Sequence, residues 1–181
     1  MRILPTSLHP SEYLYLTISK IDKTSDSRLI QVVFRNIREK IKSLAEGEYQ
    51  AVSSLSKSRQ AIYVIWHLQA EVNNGGFNQF YFNPVGKYAH LAPQALSHVG
   101  ANKFSQLVVK ANMTYEDYYD KITCQQDGTI EGFSRSYNDN PLNELDRQFY
   151  QLYSKEDLTA ILIHFIRTHK QHFNDCPDDS C

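Results

Sequence analysis

His67 and Glu71 stand four residues apart in a segment that reads as helix, so an imidazole and a carboxylate would share one face and could chelate a metal ion. A zinc-protease helix needs a second histidine, and the run here is His67-Leu-Gln-Ala-Glu71 rather than His-Glu-x-x-His. Two ligands make no site unless another element adds His90 or His98. The alternative for Glu71 is structural, accepting hydrogen bonds from amides around the turn that follows it. His164, His169 and His172 lie near the end of the chain, and the last two are spaced i, i+3, close enough to share a metal or a proton. A partly exposed helix face explains them equally well. Serine, cysteine and histidine are all present, but no nucleophile elbow, phosphate loop or dinucleotide fingerprint occurs. Cys124, Cys176 and Cys181 make an odd set without a Cys-x-x-Cys pair, which reads as reduced thiols rather than a disulfide framework or a zinc site. No catalytic residue, metal or cofactor is therefore assigned.

The stretch from Glu71 to Asn83 carries more information. Asn74, Gly75 and Gly76 form a turn signal after an apolar run, and one of the two glycines is expected to take a positive φ. Phe77, Phe80 and Tyr81 follow at i, i+3, i+4 spacing and would form one apolar face. Gln79 and Asn83 flank that face with amides suited to tying down backbone groups. Two readings stay open: a structural junction, or a ligand pocket built from Glu71, Asn74, Gln79 and Asn83 together with His67.

The elements that must position these groups are helical throughout. Leu29, Val33, Ile37, Ile41 and their neighbours repeat with helical period and predict a helix over 27–45, with Asp26 as its N-cap. A short helix is expected over 48–55. The segment 57–73 is apolar almost all round in its middle, which marks a central helix buried on several sides. Further helices are expected over 88–99, 102–112, 115–123 and 142–152, with a last one from Leu158 onward. Thr114–Asp117 and Ser154–Asp157 have capping-box spacing and are expected to open two of these helices. Residues 124–140 read as the longest loop. No alternating strand pattern stands out, so the expected class is all-α: a single globular multi-helix bundle with short helix–helix connections. Residues 1–10 are expected to be a flexible N-terminus, 11–173 the domain, and 174–181 a polar flexible tail.

Composition sets the outer limits. With 181 residues, 41% of them apolar and 22% charged, the chain is long enough to bury a core without a metal or disulfide. The net charge of −1 excludes a globally basic nucleic-acid binder, and tight direct binding to nucleic acid is not expected. The average conceals a division: residues 1–112 carry a net +6 and residues 113–160 a net −6. The acidic part also holds Tyr115, Tyr118, Tyr119, Tyr137, Tyr150 and Tyr153, residues favoured in interfaces. A candidate acidic interaction face follows, made of Glu116, Asp117, Asp120, Glu131, Asp139, Glu144 and Asp146. The competing reading is that these charges only solvate helix surfaces. No secretory leader and no apolar run of membrane-spanning length occur, so the expected location is the cytoplasm, away from the membrane.

The residues Glu71, Asn74, Gly75, Gly76, Phe77, Gln79, Phe80, Tyr81 and Asn83 resemble the core signature E-x-x-N-G-G-F-x-Q-F-[FY]-x-N of a bacterial domain family of unknown function that includes a DNA-mimic protein. The run Ala95-Leu-Ser-His-Val-Gly-Ala101 resembles that family's helix end, and Leu145, Asp146, Phe149 and Tyr150 resemble its closing helices. The resemblance spans about residues 12–173. It implies an all-helical fold, no established catalytic activity, and a protein partner, including a DNA-binding protein engaged by carboxylates spaced like phosphates. This chain departs from that pattern in lacking overall acidity. The leading expectation is a non-enzymatic protein-interaction or regulatory module, with a homodimer left open. The alternative is an enzyme or small-ligand domain using the Glu71 pocket.

Overall fold

In the computed structural model, which describes residues 13–44 and 47–176, every regular element is helical. Residues 1–10 and most of the expected tail, 177–181, lie outside the described residues. A short helix not expected from sequence, α1 (Ile18–Lys23), is capped by Thr17, whose hydroxyl accepts from the Lys20 N–H. The next helix, α2 (Asp26–Ser43), buries Leu29, Val33, Ile37 and Ile41 along one stripe, as their spacing requires. Its N-cap is Ser25 rather than Asp26. Asp26 is the first helical residue, and its carboxylate instead receives the Arg167 guanidinium at 2.6 Å.

After α3 (Glu48–Ser54) comes the long central helix α4 (Lys57–Phe82), begun by the Ser56 cap. Ile62, Val64, Ile65, Leu68 and Val72 are fully buried, because α4 packs against α2, α3, α5 and α9 and leaves its middle no solvent face. A 3-10 turn (Pro84–Tyr88) leads to α5 (Ala92–His98) and then α6 (Asn102–Asp117). Thr114 therefore sits inside α6 and opens no helix. The next helix, α7 (Tyr119–Thr123), starts only after a break at Tyr118. The expected loop at 124–140 contains α8 (Ile130–Arg135), capped by Thr129, whose hydroxyl accepts from the Gly132 N–H.

The closing helices are α9 (Asn143–Tyr153) and α10 (Leu158–Thr168). In the second expected capping box the acid does the capping: Asp157 accepts from the Ala160 N–H at 3.0 Å, while the Ser154 hydroxyl donates back to the Gln151 carbonyl. A 3-10 turn (Lys170–His172) ends the bundle. No strand occurs among the described residues, and none of their helices is long and apolar enough to cross a membrane.

The two ends of the domain meet at one buried acid. Asp175, on the expected polar tail, accepts from the Leu16 N–H at 2.8 Å, the Asn36 amide at 2.9 Å and the Arg59 guanidinium at 2.6 Å. Lys40 approaches the same carboxylate at 3.0 Å. Burial alone pushes this carboxyl up, but the bonds from Leu16, Asn36, Lys40 and Arg59 outweigh it and hold it below the usual carboxylate range. Next to it, Cys176 is buried and disulfide-bonded, against the expectation of reduced thiols, while Cys124 is exposed and free. Thiol spacing in the sequence could not show that Asp175 and Cys176 are anchored against the core.

Candidate functional site

The glycine pair bends α4 without ending it. Gly75 has φ −154°, which any residue can adopt, whereas Gly76 has φ 70° and ψ −174°. That combination belongs to a region only glycine occupies comfortably, so the strain falls on Gly76. The bend frees backbone groups that a straight helix would pair, and side chains from later elements take them up. The Phe77 N–H donates to Asp146 Oδ1 at 2.7 Å. The Tyr137 hydroxyl donates to the Gly75 carbonyl at 2.9 Å, and the Tyr150 hydroxyl to the Val72 carbonyl at 2.5 Å. A Cβ at Gly76 would overlap the Asp146 carboxylate, so the glycine is required twice over.

Across the bend the motif's polar side chains bond to one another. Glu71 Oε2 accepts from Gln79 Nε2 and from Asn83 Nδ2, both at 2.7 Å. Gln79 Oε1 in turn accepts from Asn74 Nδ2 at 3.0 Å. Phe77 and Phe80 are fully buried, and Phe77 meets Phe149 of α9 edge to face. Tyr81 donates to Asn112 Oδ1 at 2.7 Å and stacks on Tyr115 at 4.1 Å. Burial pushes the Tyr81 phenol well above its ordinary value, so it stays a donor. Asn78, which the sequence pattern did not single out, is buried and donates to the Ser136 hydroxyl at 2.8 Å. Each of Glu71, Asn74, Gln79 and Asn83 thus bonds to another member of the motif.

The acidic residues divide in two. Asp146, expected on the interaction face, turns inward beneath Gly76, and desolvation raises its carboxyl to about 6 despite the bond from Phe77. An acid that fills the notch of a helix bend cannot also face a partner. Glu144 is paired with Arg147 on the same helix. Glu131 on α8 and Asp139, in the turn before α9, are exposed, but they sit on elements separate from the α6–α7 corner.

Glu116, Asp117 and Asp120 do come together, and with Tyr118, Tyr119 and Lys121 they line a shallow depression at the junction of α6 and α7. All three acids are exposed, and none has an ion pair among the described residues. Tyr118 and Tyr119 are 51% and 53% exposed, so about half of each is open to solvent. Glu116 and Asp117 also end a 16-residue helix, where the helix dipole already presents partial negative charge. Acids there oppose helix stability and deepen the local negative potential.

Three of the histidines gather near Ser58, with the His169 and His172 rings 5.3 Å apart, but His67 and His90 stand elsewhere. His90 contacts the Tyr49 hydroxyl at 3.1 Å, while His98 and His172 share the Ser58 hydroxyl at 3.1 and 2.7 Å. The His169 ring stacks on Phe165. His67 lies between the rings of Phe34 and Tyr63, apart from the other histidines. Among the described residues no group of three or more histidine, cysteine or carboxylate side chains is placed to hold a metal ion.

Residues 53–169 match the model of a family described as DMP19-like protein. No curated protein and no solved structure matches the chain.

Proposed function

The chain belongs to the DMP19-like protein family, and from that premise we propose that it is a non-enzymatic interaction module with a regulatory role. Its partner docks on the corner formed by the end of α6 and the start of α7. The observation that carries this reading is the cluster Glu116, Asp117 and Asp120, exposed and without ion pairs among the described residues, beside the exposed rings of Tyr118 and Tyr119. Carboxylates so placed attract a basic surface and speed encounter, and tyrosines supply contact area once it arrives. The partner class is a protein with a cationic surface, and a DNA-binding protein fits because its groove already accepts spaced negative charges. Such a corner acts as a DNA mimic on a local scale only, since a net charge of −1 leaves no acidic coat over the whole molecule. The internal bonding of Glu71, Asn74, Gln79 and Asn83 supports a structural motif over the alternative pocket.

The test is affinity capture with the full chain, followed by association kinetics on the basic partner identified. The triple variant E116Q/D117N/D120N should associate about tenfold more slowly at low salt, in keeping with the range of steering effects. Its rate should also lose most of its salt dependence, because exposed charges are screened beyond about 8–10 Å near physiological ionic strength. Unchanged association at low salt would reject this corner as the docking surface. Tight DNA binding by the wild-type chain with a steep salt slope would reject the partner class.

A further inference from the structure

We propose that the cleft between α2, α3 and α4 binds a small planar aromatic carboxylic acid, its ring against Trp66, its edge bonded to His67 and its carboxylate opposite Arg38. This site is distinct from the α6–α7 corner and from the motif. The cleft is open to solvent and offers about 660 Å³, within the range of small-molecule sites.

Three observations define the occupant. The first is an unmet hydrogen bond. His67 Nε2 is buried and has no partner, and the only other such side-chain atom among the described residues is Glu156 Oε2. Buried polar atoms are nearly always paired, so an orphan on a cleft wall marks where a ligand atom would bond. Desolvation lowers the pKa of this imidazole and keeps it neutral, leaving one donor and one acceptor nitrogen. The ring is also held in place. Tyr63 meets it edge-on at 4.6 Å and is itself fixed by donating to Glu48 Oε1 at 2.8 Å.

The second observation is a flat aromatic wall. Trp66 and Phe34 stack at 4.5 Å with planes 15° apart, and Trp66 is only partly buried. Leu44, 41% exposed, adds an apolar rim. A planar ring matches this surface better than a flexible aliphatic chain.

The third is the charge balance. Glu48 is matched by Lys87 at 3.1 Å, and Lys42 by Glu39 at 2.7 Å. Arg38 has neither an ion pair nor a side-chain hydrogen bond among the described residues; its guanidinium stands 6.0 Å from the centre of the Phe34 ring. One uncompensated guanidinium suits one carboxylate, which it can bind through two parallel bonds. A phosphate dianion would need more positive charge than the cleft offers.

Trp66 is the chain's only tryptophan, so its indole N–H gives a single resonance at the site itself. The isotope-labelled full chain is titrated with 2-naphthoate and, separately, with the neutral 2-naphthylmethanol. Saturable movement of the Trp66 resonance is expected with naphthoate. Arg38→Gln should weaken it about tenfold or more, because glutamine keeps an N–H donor but loses the charge and the paired bonds. The neutral analogue should bind the wild type about as weakly as naphthoate binds R38Q. Arg38 is exposed, so R38Q is expected to fold, and overlay of its remaining spectrum verifies that. His67→Phe should weaken binding as well, and undiminished binding by a folded H67F would overturn the proposal. No saturable shift would overturn the proposal. So would equal affinity of R38Q and wild type for naphthoate, or tighter binding of adenosine monophosphate than of naphthoate.

Discussion

Gly76 and Asp146 act as a pair at the scale of single residues. Gly76 holds a backbone conformation that side chains resist, and the space beside it is filled by a carboxylate. Gly76→Ala should therefore lower stability by about 1–3 kcal/mol from backbone strain alone, with the overlap on Asp146 adding to it. Urea denaturation of the two proteins measures the difference. Asp146 makes a pH prediction of opposite sign to most acids. Its carboxyl titrates near 6 in the folded chain against 3.8 when solvated, because burial disfavours the charge. Between those values the folded chain keeps a proton that the unfolded chain has released. Its contribution to stability is therefore full below the solvated value and is lost as pH rises through about 6. Asp175, held low by its partners, contributes in the reverse direction and loses its effect as pH falls. The difference between wild type and Asp146→Asn isolates the Asp146 component. The variant keeps an oxygen for the Phe77 N–H, so its unfolding midpoint should gain on wild type as pH is raised from about 4 to about 7. A constant gap across that range would contradict the assignment.

At the scale of elements, α4 organises the bundle. Ile65 is fully buried at its centre, and Ile65→Ala should cost about 2–5 kcal/mol, depending on how far the neighbours relax into the space. Equilibrium unfolding checks this, and a variant as stable as wild type would mean that α4 is not the core. The fate of α6 shows what overrides a local signal. Thr114 and Asp117 have the spacing of a helix start, yet the helix runs through them. Tyr115 lies four residues beyond the buried Ala111 and stacks on Tyr81, so continuing the helix gains a contact that a new start would forfeit. The extension carries Glu116 and Asp117 to the end of α6, where the proposed docking corner forms.

For the molecule as a whole, the hub at Asp175 joins the segment before α1, the helices α2 and α4, and the end of the chain. Arg59 and the Asp175 side chain are 8% and 5% exposed, so the pair is shielded from water. Removing one member of such a pair leaves the other charged and buried. Asp175→Ala should then destabilise the fold by about 3–5 kcal/mol, far more than loss of a surface ion pair. A thermal melt that moves by only a degree or two would show that the chain's end is not part of the cooperative unit. If the hub holds, truncating the chain before Asp175 should have a similar effect.

Helical period, the buried middle of α4, the turn at the glycine pair and the burial of Phe77 and Phe80 could all be read from residues close together in sequence. That is because a helix writes its buried face every three to four residues, and a glycine pair interrupts it locally. Tertiary structure alone decided which acids face outward. Asp146 looked like its neighbours until α9 brought it beneath Gly76, in a contact spanning 69 residues. The same holds for Asp175, which bonds to Leu16 across 159 residues, and for His67, whose pairing with Glu71 gave way to a place among Phe34, Tyr63 and Trp66. Charge and hydrogen bonding act through space, and local spacing records nothing of the partner that folding brings alongside. For that reason the class of the fold was legible in the chain, while the roles of its acids and histidines were settled only by packing.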